Sequence, residues 1–142
     1  MEIETTLRKY GCDSFMFASD RTRAMIGFEA DGRRVKFVLP LPDQNDRRFT
    51  HGLRKGAKEE HERSDTQKAA AYEQEIRRRW RALALAIKAK LECVESGITT
   101  FEQEFLAHIV VPNGQTIGEW IAPQLQHVYA SGEMPPMLPG AK

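Results

Sequence analysis

Residues 23–39 read RAMIGFEADGRRVKFVL, and this stretch decides the fold. Apolar residues recur at every second position on both sides of its centre, as on one face of a strand: Ala24, Ile26 and Phe28 before it, and Val35, Phe37 and Leu39 after it. Asp31-Gly32 at the centre supplies the pair of positive φ angles that a type I′ turn needs. The stretch therefore predicts an antiparallel β-hairpin with its turn at Asp31-Gly32.

The flanking sequence extends this hairpin on one side and ends it on the other. Ser14 to Ala18 is a second short apolar run, typical of a further strand. Pro40-Leu41-Pro42 ends the last strand, since proline has no N–H to donate to a neighbouring strand. We expect a small antiparallel sheet of two or three strands.

From Ser64 to Ser96 the apolar spacing changes to that of a long helix. One stripe recurs at intervals of four, four and three residues: Tyr72, Ile76, Trp80, Leu83, Ile87, Leu91 and Val94. A helix of about 30 residues is roughly 45 Å long, which exceeds the diameter of a small domain. Its N-terminal half is therefore expected to project or to be covered by another chain. That chain is either a docking partner or a second copy, in a homodimer with Tyr72, Ile76 and Trp80 at the interface.

Shorter helices are expected around this framework. Residues 2–10 carry apolar side chains at helical spacing. Thr99 and Thr100, each three residues before an acidic or amide side chain, form a capping-box pattern for a helix from about Phe101 to Ile109. Thr116 is a candidate cap for a last helix, which Pro123 is expected to kink or split.

The chain of 142 residues has room for one domain, residues 1–142. We predict an α+β fold in which the small antiparallel sheet packs on the long helix, with two or three shorter helices. Residues 43–63 show no sustained periodicity and are expected to form an exposed loop. The Pro-rich segment 131–142 is expected to be an extended C-terminal tail.

Several classes of protein do not fit this sequence. Cys12 and Cys93 lie apart, without the spacing of a zinc finger or a disulfide framework. The acidic start of the chain and the lack of a long apolar run are not typical of a signal peptide or a membrane span, so we expect a cytoplasmic protein without a membrane partner.

The net charge of +1 conceals a strong asymmetry along the chain. Residues 21–90 contain 18 basic and 10 acidic side chains, a charge of +8. Residues 1–20 carry −2 and residues 91–142 carry −5. A basic middle of this kind favours a partner that is negatively charged.

The basic middle contains the candidate binding site. Clustered arginines and lysines bind phosphate backbones, so we predict nucleic-acid contacts from Arg33, Arg34, Lys36, Arg47, Arg48, Arg54, Lys55, Arg78 and Arg79. Two other interpretations stay open. The helical arginines can pair with Glu73 or Glu75 as a solvated face, or the whole surface can bind an acidic protein surface.

A catalytic or metal-binding function has weaker support in the sequence. Glu104 and His108 are four residues apart and could share a metal ion, but no third ligand accompanies them at suitable spacing. No phosphate-binding glycine loop, nucleophile motif or convincing Cys–His pair is present. We therefore predict a protein that is not an enzyme, with no catalytic residues, no bound metal and no cofactor.

Three segments resemble short uncharacterised proteins encoded by bacteriophages and prophages: residues 28–42, 80–97 and 112–120. The resemblance implies a role in handling phage DNA or RNA, or in inhibiting a host defence complex as anti-CRISPR proteins do, in the host cytoplasm. The favoured hypothesis is a phage-type accessory protein that contacts nucleic acid. The alternatives are the protein-binding inhibitor and, with least support, a metal-dependent enzyme at Glu104 and His108.

Overall fold

The computed structural model describes residues 2–12 and 14–134. The helices are α1 (Glu2–Lys9), α2 (Arg47–Thr50), α3 (Asp65–Glu95), α4 (Phe101–Phe105) and α5 (Ile117–Ser131), with a 3-10 turn at Leu106–His108. The strands are β1 (Ser14–Ser19), β2 (Arg23–Ala30), β3 (Arg33–Pro40), β4 (His51–Gly52) and β5 (His61–Glu62). This combination confirms the predicted α+β class.

The main sheet has the order β1-β2-β3 and is antiparallel throughout. Phe28 lies opposite Phe15 on one side and Val35 on the other, so the predicted apolar positions share one face. Asp31 and Gly32 have φ angles of 53° and 70°, which confirms the predicted hairpin turn.

Helix α3 is 31 residues long, and its start is fixed by local chemistry. The Ser64 hydroxyl accepts a hydrogen bond from the Gln67 amide, and the Gln67 side chain accepts one from the Ser64 amide. The same reciprocal arrangement of Thr100 and Gln103 starts α4, as the capping pattern predicted. Local hydrogen bonding therefore sets where both helices begin.

The core lies between the sheet and the helices. Its buried side chains come from α1, β2, β3, α3 and α4: Ile3, Leu7, Ile26, Phe28, Val35, Phe37, Ala84, Ile87, Leu91, Phe101 and Phe105. Phe105 is at the centre, edge-on to Phe28 at 5.9 Å and to Phe37 at 6.2 Å between ring centroids. It also stacks on Phe101 at 4.7 Å, so four aromatic rings form one cluster.

Residues 43–63 are not a single exposed loop, and that prediction was wrong in part. Helix α2 and the short hairpin of β4 and β5 occupy most of this segment. Phe49 of α2 is buried and packs edge-on against Tyr72 of α3, with 5.5 Å between ring centroids. The chain itself therefore covers part of the N-terminal half of α3, which was expected to project or to meet another chain.

The C-terminal helix also differs from the prediction. Thr116 caps α5 as expected, but α5 continues through Pro123 without a break, so it is not split. Gly132, with a φ of 74°, ends the helix, so the expected tail starts later than residue 131. The prolines of that tail lie in residues 135–142, outside the described residues.

Candidate nucleic-acid interface

A cleft of about 460 Å³ lies between the β4–β5 hairpin and α3, and we call it the hairpin cleft. Its lining residues are Gly52, Leu53, Arg54, His61, Arg63, Gln67, Ala70, Ala71 and Gln74. None of these residues is acidic, and two are arginines. The hairpin cleft is therefore a site of positive charge with uncharged donors and acceptors around it.

Short local elements build one wall of this cleft. Asp46 caps α2 by accepting a hydrogen bond from the Arg48 amide, and Phe49 then anchors α2 on α3. His51 and Gly52 pair with Glu62 and His61 as an antiparallel ladder. The Arg63 amide donates to the Thr50 carbonyl oxygen at 2.8 Å, which extends the hairpin to the residue before the cap of α3.

Arg63 lines the cleft, and its side chain lies against the backbone of α2 and β4. Its Nη1 atom donates to the carbonyl oxygens of Arg48 and Phe49 at 3.4 and 3.3 Å. A Cβ atom at position 52 would be 2.7 Å from its Nε atom, so Gly52 leaves the space that the guanidinium occupies. The absence of a side chain at Gly52 thus allows a cation to lie directly against the hairpin backbone.

His61 contributes a buried polar atom without a partner. Among the described residues, no hydrogen-bond partner reaches its Nδ1 atom. A buried polar atom that lacks a partner costs free energy. His61 is therefore part of the cleft wall, with its Nδ1 atom shielded from solvent.

The positive surface continues along α3 beyond the cleft. Gln74 is at the cleft edge, and Arg77, Arg78 and Arg81 follow it by three, four and seven residues, on the same side of the helix. Arg77 and Arg81 are exposed. In the described part of the chain, Arg77 has only a 3.9 Å contact with Glu73, and Arg81 has no ion pair.

The loop that joins β4 to β5, residues 53–60, carries further cations. Arg54, Lys55 and Lys58 are exposed and form no ion pair with any residue that the structure describes. Glu60 in the same loop binds the Nε atom of Arg47 at 2.8 Å. Of these cations Arg54 lines the hairpin cleft, and Lys55 follows it directly in the chain.

The nine predicted contact residues do not form one surface. Three lie at the start of β3, near α4 and α5. There Arg33 pairs with Glu102 at 3.5 Å, Arg34 with Glu29 at 3.6 Å and Lys36 with Glu119 at 3.8 Å. At the opposite end of β3, seven residues and about 20 Å from Arg33, the Pro40 carbonyl oxygen accepts a hydrogen bond from Arg79 of the other group. All three cations at the start of β3 therefore have carboxylate neighbours.

The other six predicted residues lie on α2, the 53–60 loop and α3. Arg47 and Arg48 contact Glu60 and Asp46, and Arg48 also covers the Phe49 ring. Arg54 and Lys55 are the members of this group without an ion pair among the described residues. Arg78 and Arg79 share a carboxylate, described next.

Glu75 holds two arginines of α3 at once. Its carboxylate accepts hydrogen bonds from Arg78 at 2.8 and 2.6 Å and from Arg79 at 3.0 Å. Arg79 also donates to the Pro40 carbonyl oxygen at 2.6 Å and so ties α3 to the end of β3. The hydrogen bonds from Arg78 and then Arg79 lower the pKa of Glu75 to about 2.

We expect Glu75→Gln to change how stability depends on pH. A folded-state pKa below the ordinary value of 4.5 means that the carboxylate stabilises the fold above pH 4.5 and loses that effect as the pH falls toward 2. The variant should therefore be less stable than the wild type at pH 7, and the difference should shrink between pH 4.5 and 2. Urea unfolding at several pH values measures it. A difference that stays constant over this range would contradict the assignment.

The predicted dimer residues of α3 are mostly engaged within their own chain. Tyr72 packs on Phe49, and Trp80 packs against the core with its ring 6.5 Å from that of Phe17. Tyr72, Ile76 and Trp80 are all partly buried. This stripe therefore offers less apolar surface to a second chain than its length suggested.

Glu104 and His108 have surroundings that do not suit a metal cation. The Lys90 ammonium group donates to the Glu104 carbonyl oxygen at 3.0 Å and lies 4.0 Å from its carboxylate. The His108 ring stacks on Phe37 at 4.0 Å, and burial, then the Lys90 charge, lower the pKa of His108. No group of three potential ligand residues occurs within residues 2–12 and 14–134.

Sequence reasoning did not identify Gly52, His61, Arg63, Gln67 or Gln74 as site residues. One signal was available for Arg63, because the Ser64–Gln67 capping box places it directly before the start of α3. Nothing in the sequence indicated that two-residue strands would form the opposite wall, since such short strands have no periodicity to detect.

Comparison with protein-family models, with curated proteins and with solved structures found no match to this chain. Among the helices that the structure describes, none combines the length and the apolar character needed to cross a bilayer. The fold and the hairpin cleft therefore carry the functional interpretation.

Proposed function

We propose that the protein binds nucleic acid along the hairpin cleft and the adjoining exposed face of α3, as an accessory protein that performs no chemical step. The observation that carries this proposal is the cleft lining, which combines Arg54 and Arg63 with no carboxylate. The predicted cations at the start of β3 have acidic neighbours, whereas Arg54 and Arg63 form no ion pair with a described residue, so their charge is available to a ligand.

The chemistry of the ligand follows from the donors. Arginine offers a planar fork of N–H groups that matches phosphate oxygens, and lysine adds a point charge. A strand that enters the cleft meets Arg54 and the 53–60 loop first and can then follow Arg77 and Arg81 along α3. The resemblance to phage-encoded proteins favours phage DNA or RNA as this strand.

Fluorescence anisotropy with a labelled mixed-sequence oligonucleotide tests the proposal. About five phosphate contacts should weaken binding by several hundred-fold between 50 and 200 mM salt, because each contact releases condensed counterions. Parallel titrations with single-stranded and double-stranded DNA and RNA identify the preferred form. No change in anisotropy at low salt with micromolar protein would overturn the proposal.

A further inference from the structure

Helix α5 is exposed over most of its length. From Glu119 to Ser131, every residue except Val128 is exposed. Ile121, Leu125 and Tyr129 have 37%, 52% and 83% of their surface accessible. A protein of this size rarely leaves three successive turns of an apolar helix without cover.

The exposed apolar stripe continues the face by which α5 is attached to the rest of the chain. In its first turn Gly118 lies against the 3-10 turn, where a Cβ atom would be 2.9 Å from the Ala107 carbonyl oxygen. Helical periodicity places Ala122, Leu125 and Tyr129 on that same side of α5. The packing face therefore runs past the edge of the core and stays uncovered for the remaining turns.

An isolated helix of 15 residues that contains a proline has little stability of its own. The stripe exposes roughly 400 Å² of apolar side chain, judged from the size of its residues. Two such stripes, with the flanking glutamines, reach the roughly 1,000 Å² in total that a specific interface needs. The area is thus sufficient for a dimer built on α5 alone.

Charge and spacing indicate a second copy as the partner. No residue from Trp120 to Gly132 carries a formal charge, so two copies meet without repulsion, whereas a polyanion finds no cation on this helix. The stripe is also symmetric about Leu125. Ala122 and Val128 are three residues from it on either side, and Ile121 and Tyr129 are four residues from it.

We infer that α5 forms the interface of a homodimer in which two α5 helices pack antiparallel about Leu125. A two-fold axis at Leu125 places Ile121 against Tyr129 of the second copy and Ala122 against Val128 of the second copy. Each of these contacts then occurs twice, once on either side of the axis, as a self-complementary interface requires. Pro123 points away from this contact, on the opposite side of the helix.

Analytical ultracentrifugation of the full chain tests the dimer. The wild type should sediment as a dimer at micromolar concentration, and Leu125→Glu should raise the dissociation constant at least ~100-fold, because it places like charges at the two-fold axis. His127→Glu adds the same group on the opposite face of α5 and should leave the dimer intact. A monomeric wild type, or equal effects of the two variants, would overturn the inference.

The main alternative interface is β1, an uncharged edge strand of the sheet whose Met16 is exposed. If Met16→Lys dissociates a dimer that Leu125→Glu leaves intact, the interface lies at β1 and the inference about α5 is wrong. Circular dichroism confirms that each variant keeps its helical content. Met16, Leu125 and His127 are all exposed, so none of the three substitutions should prevent the protein from folding.

Disulfide trapping tests the antiparallel orientation in a Cys93→Ser background. A mixture of an Ile121→Cys chain and a Tyr129→Cys chain should form mixed disulfide dimers, while Ile121→Cys alone should not cross-link. Cross-linking of Ile121→Cys with itself would show a parallel arrangement and would contradict the proposed axis at Leu125.

Discussion

Phe105→Ala should lower the free energy of unfolding by about 3–5 kcal/mol, the largest loss expected from a single change in this protein. Phe105 is fully buried and contacts three other aromatic rings, from β2, β3 and α4. Its removal leaves a cavity that the sheet and α4 can fill only by moving together. Chemical unfolding followed by circular dichroism measures the loss.

Leu106→Ala is the matched control for this prediction. Leu106 is the next residue in the chain, but 46% of its surface is accessible to solvent. Its truncation should cost about 1 kcal/mol or less. If the two variants lost the same stability, the aromatic cluster would not be the centre of the core.

Reversing the charge of the 53–60 loop should have the largest effect on binding. The double variant Arg54→Glu with Lys55→Glu replaces a cation of the cleft lining and its neighbour in the chain by carboxylates, and neither cation has an ion pair among the described residues. We expect an affinity for nucleic acid roughly 100-fold weaker, since lost attraction and new repulsion both act on the phosphates. Anisotropy titrations at one salt concentration give the ratio directly.

Arg33→Glu with Arg34→Glu is the control for net charge. It makes the same change in total charge at the other end of β3, where both arginines already have carboxylate neighbours. This variant should weaken binding only about 5-fold, through long-range electrostatics. A loss as large as that of the loop variant would show that net charge, not the hairpin cleft, determines affinity.

The parts of the fold that local chemistry determines were predictable from the sequence. The Asp31-Gly32 turn requires positive φ angles, and the Thr100–Gln103 capping box needs only residues three apart. Helix α2 and the β4–β5 hairpin were not predictable. They are too short for periodicity, and they depend on the contact of Phe49 with Tyr72, which exists only after α3 has formed.

The candidate site was predictable only as a composition of charges. The sequence shows that the middle of the chain is basic, but the partners of Arg33 and Lys36 are glutamates on α4 and α5, far along the chain. Packing therefore decides which cations are neutralised and which are free. The exposure of α5 likewise depends on where the helix leaves the core, which its apolar pattern does not reveal.

The most direct test of the hairpin cleft is a ¹⁵N–¹H NMR titration with the preferred oligonucleotide. Binding in the cleft should shift the amide signals of Gly52, His61 and Ala70, which line it, and leave those of Gly32 and Arg33 at the distant turn unchanged. Shifts confined to Gly32, Arg33 and their neighbours, with the cleft signals unmoved, would contradict the proposed interface.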